Sequence, residues 1–309
     1  MGYKRAGYNV LGNCEIDPKI AEVYKSNLRP KYSYVMDIRE FNALDNLPDE
    51  LYDLDVLDGS PPCSTFSTIG IREKAWGVEK QFAEGQKFQR LDDLFGVYMD
   101  TVAKLRPKVF VAENVIGIIQ GNAKGYVNEI VKEAQELGYS IQIFMLNAAF
   151  MGVPQTRQRV FFIGNRMGYS KLELSFDEKP ITFGEVRGSS SGKQMGKSVA
   201  RIVSMSKKFE DGCRTTLVNN GEKWGHFAYT YCWDEKPAPT LTAGASQIRM
   251  CDRTMLTDED VRNVSSFPQD YNFTGSRAHF ICGMSVPPSM MANIAFEIKK
   301  QWLCADCVD

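Results

Sequence analysis

The sequence is poor in the features that mark several common classes of protein. It has two histidines, His226 and His279, and eight cysteines without regular spacing, which excludes a disulfide scaffold. The one close pair, Cys304 and Cys307, lacks a second pair, so we predict no zinc site. No apolar run reaches the roughly 18 residues of a membrane-spanning helix, and the first ten residues lack the apolar core of a secretory signal. These absences favour a protein of the reducing cytoplasm that uses no metal and no membrane.

Net charge is also small, but it is unevenly distributed. The 309 residues contain 37 Lys and Arg against 38 Asp and Glu, a formal net charge of −1. Residues 187–257 hold eleven basic and six acidic side chains, a net charge of +5, which leaves −6 for the rest of the chain. A basic surface of this kind favours contact with phosphate groups, and an ordinary solvated surface is the alternative.

Short apolar runs alternate with amphipathic stretches through the first half, which is typical of an α/β fold with a parallel or mixed sheet. Periodicity is lost near Arg187 and returns at Thr257. We therefore predict a core at 1–186, a smaller irregular domain at 187–255, and a segment at 256–309 that returns to the core. The predicted strands are Tyr8–Glu15, Leu54–Leu57, Val109–Ala112, Ile141–Leu146 and Val160–Ile163, and the predicted helices are Pro18–Asn27, Leu91–Leu105, Val127–Leu137 and Ser289–Trp302.

Cys63 stands in a setting that favours a nucleophile. It follows the predicted strand Leu54–Leu57 and two prolines, Pro61 and Pro62, which stiffen the loop. Ligands bind at the carboxyl edge of strands in open α/β sheets. A thiol held there suits nucleophilic attack once a neighbour lowers its pKa, whereas a small buried apolar side chain is the alternative.

Glu113 and Asn114 end the predicted strand Val109–Ala112. A carboxylate rarely ends a buried strand without a partner or a task. The side chain of Glu113 is therefore either a structural hydrogen-bonding group or a carboxyl that donates to a ring nitrogen or stabilises a protonated one.

Gln155, Arg157 and Arg159 alternate as the chain enters the predicted strand at Val160. Because side chains alternate between the two faces of a strand, we expect all three on one face. Two arginines there favour an anion or a carbonyl-rich base edge as ligand. The alternative is that their charges prevent an edge strand of the sheet from pairing with another chain.

In this order, the three segments resemble those of the DNA (cytosine-5)-methyltransferase family. Pro61-Pro62-Cys63…Phe66-Ser67 is similar to the nucleophile loop, Glu113-Asn114-Val115 to the Glu-Asn-Val motif, and Gln155-x-Arg157-x-Arg159 to the Gln-x-Arg-x-Arg motif. Further matches are Glu15-Ile16, Asp37-Ile38, Arg90 to Phe95, Pro239 to Ala243, Phe267 to Gly275 and Gly283 to Pro288. The resemblance implies a Rossmann-like, S-adenosylmethionine-dependent methyltransferase core with a smaller, irregular target recognition domain.

The resemblance also implies roles for the matched residues. Cys63 would add to C6 of a cytosine, Glu113 would hold N3, and Arg159 would hold the O2 carbonyl, with Arg157 supporting the catalytic site. Because the target atom is inaccessible inside a duplex, the base must be flipped out. S-adenosylmethionine would be bound by Glu15, Ile16, Asp37, Ile38, Pro62, Leu94, Ser285 and Val286, and DNA by Ser67, Gln155 and Thr240.

The same resemblance implies the partners of the chain. They are double-stranded DNA, read in the major groove by the basic region 187–255, and a cognate restriction endonuclease on another chain. We expect a cytoplasmic monomer that acts on bacterial or phage DNA. The bases that flank the target cytosine are not evident from the sequence.

The sequence departs from the family at two motifs. The glycine-rich string that begins the family, Phe-x-Gly-x-Gly-Gly, does not occur, and Met1 to Tyr8 is similar to the helix that normally follows it. We therefore expect that the chain starts about 15 to 20 residues late, roughly one strand and one loop. Its full-length parent would methylate DNA, whereas this chain would bind S-adenosylmethionine weakly or not at all. The last motif, usually Gln-x-Gly-Asn, is Ile281-Cys282-Gly283-Met284 here.

Three other interpretations stay open at this point. A DNA-binding pseudoenzyme would have kept the fold and lost the methyl donor. A methyltransferase for transfer RNA usually carries a Cys-Phe-Thr tripeptide, which the sequence lacks. A thiol enzyme that transfers no methyl group needs a base beside Cys63, and neither histidine falls in a matched motif.

Overall fold

In a computed structural model, the structure describes residues 1–61, 94–120, 124–224, 228–244 and 246–304. The chain forms two compact units. Unit I consists of Met1–Tyr8, Asn147–Arg157 and Ser175–Phe296, and unit II of Asn9–Leu146, Gln158–Leu174 and Glu297–Asp309. These boundaries differ from the predicted divisions at 187 and 255, and the target recognition domain stays a prediction.

The secondary structure of the described residues follows the predicted alternation through the first half of the chain. The helices are α1 Gly2–Arg5, α2 Pro18–Leu28, α3 Ile38–Asn42, α4 Leu94–Leu105, α5 Lys124–Glu136, α6 Phe183–Val186, α7 Lys197–Ser204, α8 Cys213–Asn219, α9 Asp258–Val264, α10 Ala278–Met284 and α11 Pro288–Ile298. The strands are β1 Gly12–Cys14, β2 Tyr32–Tyr34, β3 Val56–Gly59, β4 Val109–Asn114, β5 Ser140–Asn147, β6 Gln158–Asn165, β7 Thr230–Cys232, β8 Gln247–Arg249 and β9 Thr254–Met255. None of the helices in these ranges is long and apolar enough to span a bilayer.

Local signals account for several of the observed boundaries. The carboxylate of Asp17 accepts a hydrogen bond from the N–H of Lys19 at 2.8 Å, and Pro18 is the first helical residue, so α2 begins where its cap predicts. The helix ends at Arg29, whose φ of +48° is left-handed. Gly138, with φ of +83°, follows α5 in the same way.

Unit II contains two of the sheets. Strands β1 and β2 pair in parallel, with Gly12 opposite Tyr32 and Cys14 opposite Tyr34. The larger sheet has the order β3-β4-β6-β5, in which β3 is parallel to β4 and β4 is antiparallel to β6. The predicted α/β class with a mixed sheet is confirmed.

Tyr98 on α4 connects the two strands that lead to the predicted catalytic residues. Its hydroxyl lies 3.0 Å from the carbonyl oxygens of both Leu57 on β3 and Val111 on β4. A Cβ atom at Gly59 would overlap the Tyr98 ring, so only glycine fits at the end of β3. Helix α4 thereby holds the carboxyl end of β3, just before Pro61, against β4.

Unit I contains a three-stranded sheet and a hydrophobic cluster that belongs entirely to the region with no clear periodicity. Strands β7 and β8 are parallel, and β8 and β9 are antiparallel. The buried members of this cluster, named here the 195–255 cluster, are Val199, Ile202, Val203, Cys213, Leu217, Tyr231 and Ile248. The elements around it are two to eight residues long, which is too short to reveal a period in the sequence.

A buried ion pair fixes β8 to α9 in the same unit. The guanidinium of Arg249 lies 3.1 Å from the carboxylate of Asp260, and both side chains are fully buried. Asp260 also accepts hydrogen bonds from the N–H groups of Gly188 and Thr257 at 2.9 and 2.8 Å. Because a buried charge needs a partner, these bonds hold the 188 segment, β8 and α9 together.

Candidate active site

Glu113 and Arg159 form an ion pair at the end of β4. The Nε atom of Arg159 lies 2.8 Å from Oε1 of Glu113, and the side chains are 14% and 13% exposed. They meet because Glu113 is opposite Phe161 on the antiparallel neighbour β6, which makes Arg159 its diagonal neighbour on the same face. The structure thus brings together a carboxylate and a guanidinium that the sequence assigns to one site.

Asn114 connects this pair to the segment that precedes the predicted nucleophile. Its side chain is buried and donates from Nδ2 to the carbonyl oxygen of Pro61 at 3.2 Å. Its Oδ1 accepts from the N–H of Val115 at 2.9 Å. Asn114 is part of the matched motif, but no separate role is predicted for it from the sequence. An amide side chain at the end of a buried strand is the sequence signal that could have indicated this structural role.

Cys63, Pro62 and Ser67 lie outside the described residues. Their predicted roles as nucleophile, cofactor contact and phosphate contact stay predictions.

The prediction that Gln155, Arg157 and Arg159 share one strand face is wrong. Strand β6 begins only at Gln158, so Gln155 and Arg157 precede it and the alternation of a strand does not apply to them. Gln155 is 1% exposed, with Oε1 accepting from the N–H of Leu241 at 3.1 Å and Nε2 donating to the carbonyl of Val264 at 3.2 Å. The amide is therefore hydrogen-bonded to backbone groups through both its oxygen and its nitrogen, and its predicted contact with DNA stays a prediction.

Arg157 is a positioning residue in this geometry. It is 1% exposed and donates to the carbonyl oxygens of Leu241 at 3.1 Å and Gly283 at 3.0 Å. Its guanidinium therefore joins two segments of unit I that contain predicted functional residues. The supporting role that the resemblance implies for Arg157 stays a prediction.

Thr240 is half-buried and donates its hydroxyl hydrogen to the carbonyl oxygen of Thr156 at 2.6 Å. A hydroxyl has one hydrogen to give. To make the predicted contact with a phosphate, Thr240 would have to break its bond to Thr156 and donate to the phosphate instead.

The predicted cofactor carboxylates lie at the carboxyl edge of the small parallel sheet. Glu15 directly follows β1, and Asp37 comes three residues after β2. Partial burial, followed by the negative charges of Glu15 and Asp37, raises the pKa of the Cys14 thiol to about 12. Both carboxylates thus act on the same sulfur and make this edge acidic.

The edge suits a ligand with hydroxyl groups. Oε1 of Glu15 accepts from the N–H of Asp17 at 2.9 Å. Burial raises the pKa of Glu15, although the N–H of Asp17 opposes this. Asp37 caps α3 by accepting from the N–H of Arg39 at 2.8 Å. Carboxylates at this edge bind ribose hydroxyls in nucleotide-binding folds, so these residues fit the nucleoside of S-adenosylmethionine.

The remaining predicted cofactor residues differ in solvent exposure, and they do not all belong to the same compact unit. Ile16 and Ile38 are half-buried beside the two carboxylates, whereas Leu94 is buried at the start of α4. Ser285 and Val286 belong to unit I, where Ser285 follows α10 and donates to the carbonyl of Ile281 at 2.6 Å.

Solved structures with the same fold are methyltransferases. A mutant of Spodoptera frugiperda DNMT2 superposes with a TM-score of 0.66 at 13% identity, covering 96% of this chain and 95% of the other. The S. pombe Dnmt2 methyltransferase gives a TM-score of 0.63 at 15% identity, covering 97% and 95%. At such identities these likenesses define the fold, an S-adenosylmethionine-dependent methyltransferase fold.

The family follows from the sequence comparison. The model of the C-5 cytosine-specific DNA methylase family matches residues 1–300, and the chain belongs to that family. Type II methyltransferase M1.HphI of Haemophilus parahaemolyticus is 27% identical over 326 residues, 97% of this chain and 83% of the relative. M.NgoPII of Neisseria gonorrhoeae is 27% identical over 331 residues, 97% and 92%, and M.Sau96I of Staphylococcus aureus is 30% identical over 301 residues, 89% and 66%.

The resemblance found in the motifs is therefore confirmed. The family acts on DNA and methylates C5 of cytosine, its members use S-adenosylmethionine, and the relatives are type II methyltransferases. The chain is accordingly assigned as a DNA (cytosine-5)-methyltransferase. The comparisons give no support to the pseudoenzyme interpretation.

Proposed function

We propose that this chain methylates a cytosine that is flipped out of duplex DNA, through a covalent bond between Sγ of Cys63 and C6 of the base. The observation that carries the proposal is the ion pair of Glu113 and Arg159 at the end of β4. It presents a carboxylate and a guanidinium side by side, which matches the N3 and O2 edge of cytosine. The pair is held before the base arrives, so little reorganisation is needed.

The chemistry requires a nucleophile because C5 of cytosine is too electron-poor to attack a methyl donor directly. When the Cys63 thiolate adds to C6, its electron pair forms the S–C6 bond and the former C5–C6 π electrons become available at C5. Bound S-adenosylmethionine would supply the electrophilic methyl group that C5 takes, and S-adenosylhomocysteine would leave with the electron pair of the broken sulfur–methyl bond. Loss of the C5 proton to a base then restores the C5–C6 double bond, and the thiolate leaves.

Glu113 and Arg159 support this addition at two atoms of the ring. The Glu113 carboxyl holds a proton at N3, which draws electron density away from C6 and favours attack there. Arg159 donates to O2, where negative charge increases during the addition. Asn114, through Pro61, fixes the segment that leads to Cys63.

Bisulfite sequencing tests the reaction in cells. DNA from cells that express the chain is expected to carry 5-methylcytosine at one short sequence, and DNA from cells that express Cys63→Ser is expected to carry none. The variant keeps the size of the side chain and removes the thiolate. Equal methylation by both proteins would contradict the role of Cys63, and no methylation by either would contradict the activity of this chain.

We propose that Glu15, Ile16, Asp37 and Ile38 bind S-adenosylmethionine at the acidic edge of β1 and β2. A ligand that binds only the folded protein stabilises it by an amount that grows with the logarithm of ligand concentration above Kd, so weak binding is measurable once the ligand concentration exceeds Kd. Millimolar S-adenosylmethionine is expected to raise the thermal midpoint of the unaltered protein but not of Glu15→Ala. Glu22→Ala, an exposed carboxylate on α2, is the control.

A shift in Glu15→Ala equal to that in the control would remove Glu15 from the cofactor site.

We further propose that the chain acts as a monomer on double-stranded DNA in the cytoplasm, alongside a restriction endonuclease on another chain. The net charge of +5 over 187–257 supports the contact with DNA, and the type II relatives support the pairing with an endonuclease. Light scattering after size exclusion tests the first part: a mass near 34.8 kDa is expected, and twice that mass would contradict a monomer.

A further inference from the structure

Phe209 combines two unfavourable features on the surface of unit I. Its side chain is 42% exposed, and its backbone φ is +69°. A bulky residue in the left-handed region is a genuine outlier, and such strain persists where the surrounding structure imposes it, often at functional sites. An exposed ring held in this conformation requires an explanation beyond packing.

Two lysine ammonium groups lie close to the Phe209 ring. Nζ of Lys208 is 4.9 Å from the ring centroid, and Nζ of Lys236 is 4.7 Å from it. Lys208 also pairs with Glu235 at 2.6 Å, whereas Lys236 makes no ion pair within the described residues. Both distances are within the range of a cation–π contact, so the turn presents an apolar ring together with an uncompensated positive charge.

The segment beneath the ring is fixed by hydrogen bonds. The Trp233 ring lies edge-on to Phe209 at 5.9 Å, and Nε1 of Trp233 donates to the carbonyl of Glu210 at 2.8 Å. The buried carboxylate of Glu210 accepts from the N–H of Lys207, from Thr216 and from Asn219 at 3.2, 2.6 and 2.8 Å. A partner that binds this surface therefore meets an ordered turn and does not have to order it.

We propose that the Phe209 turn, defined as residues 207–209 together with Lys236, is a contact element for duplex DNA. The ammonium groups of Lys208 and Lys236 bind backbone phosphates, and the Phe209 ring packs on the sugar or base edge between them. A polyanion relieves the repulsion between two cations at one ring, and sugars and base edges supply apolar surface for it. The turn lies in the region of net charge +5. The inference rests on the proposed function, since it names a contact of the same substrate.

Fluorescence anisotropy with a labelled 30-base-pair duplex of random sequence tests the inference, measured as Kd from 50 to 200 mM KCl. Each lost phosphate contact reduces the slope of log Kd against log salt by about 0.9. Lys208→Gln and Lys236→Gln are each expected to weaken binding at 50 mM and to lose about threefold less affinity over this salt range. Phe209→Leu is expected to raise Kd at least about threefold with an unchanged slope, because an aromatic stacking surface is lost and no charge is.

Lys31→Gln is the matched control. Lys31 lies 5.2 Å from the ring of the next residue, Tyr32, and pairs with Glu50, as Lys208 does with Phe209 and Glu235, but it belongs to unit II. Its slope is expected to equal that of the unaltered protein. If the unaltered protein binds the duplex but the Lys208, Lys236 and Phe209 variants have the same Kd and the same salt slope, the inference is overturned. The aliphatic parts of the two lysine side chains then only cover the ring. If the unaltered protein binds no duplex at any salt, the proposed function fails as well.

Discussion

At the scale of single residues, the site depends on pairs that are distant in sequence and adjacent in the sheet. Glu113 and Arg159 are 46 positions apart, and the register of β4 against β6 makes them diagonal neighbours. Both side chains are mostly buried, and each one reduces the free-energy cost of removing the other's charge from water. The same pair is therefore part of the fold and, as proposed, part of the chemistry.

Glu113→Gln separates these two contributions. The amide oxygen still accepts from Nε of Arg159, but Arg159 loses its counter-charge, so we expect the thermal midpoint to fall while the protein still folds. The amide cannot hold a proton at N3, and loss of a positioned acid–base group costs about 100-fold or more in rate. Transfer of a radiolabelled methyl group to DNA measures the effect. Glu136→Gln, an exposed residue paired with Lys132, serves as control, and full activity in Glu113→Gln would contradict the assigned role.

At the scale of elements, the sequence predicts those features whose cause is local. The start of α2 at Asp17-Pro18 and the strand that begins at Val109 are predicted correctly, because the cap, the proline and the apolar run are each recognised within a few residues. The face of Gln155 was predicted wrongly because its partners, Leu241 and Val264, lie about 90 and 110 positions away. The exposed ring of Phe209 could not be predicted either, because no local signal precedes its left-handed backbone.

Tyr98→Phe tests the link between α4 and the strands β3 and β4. The hydroxyl contacts the carbonyl oxygens of Leu57 and Val111 in a buried place, and its removal leaves both without this donor. We expect the free energy of unfolding to fall by about 1–2 kcal/mol, as measured by urea denaturation. Tyr52→Phe, on an exposed tyrosine, is expected to change it by less than about 0.5 kcal/mol. Equal effects of the two substitutions would show that the buried contacts contribute nothing.

Glu210→Gln tests the hydrogen bonds beneath the Phe209 turn through their dependence on pH. Burial alone would raise the pKa of Glu210, but hydrogen bonds from Thr216, Asn219 and the N–H of Lys207 outweigh it and lower the pKa below 4.5. A lowered folded-state pKa gives stability that is present above the unfolded pKa and is lost as pH falls through the folded value. The difference in thermal midpoint between the two proteins should be constant from pH 7 to about 5 and shrink below about 4.5. A difference that grows on acidification would exclude this account.

At the scale of the whole molecule, charge and packing are both divided along the chain. The net charge of −1 is composed of +5 over residues 187–257 and −6 elsewhere, so the average conceals a basic stretch of the sequence. The 195–255 cluster is formed without residues from outside its range. A core of its own lets this region present its basic side chains on a stable support, which a target recognition domain requires.

The separate hydrophobic clusters predict that the chain does not unfold in one cooperative step. Val203 belongs to the 195–255 cluster of unit I, and Val102 belongs to the cluster beside β4 in unit II; both are almost completely buried. Replacing either valine by alanine removes two buried methyl groups and leaves a cavity. Together these effects lower the free energy of unfolding by about 2 kcal/mol. Calorimetry is expected to resolve two transitions, with Val203→Ala lowering the midpoint of one and Val102→Ala lowering that of the other. A single transition that both substitutions shift equally would show that the two clusters unfold as one.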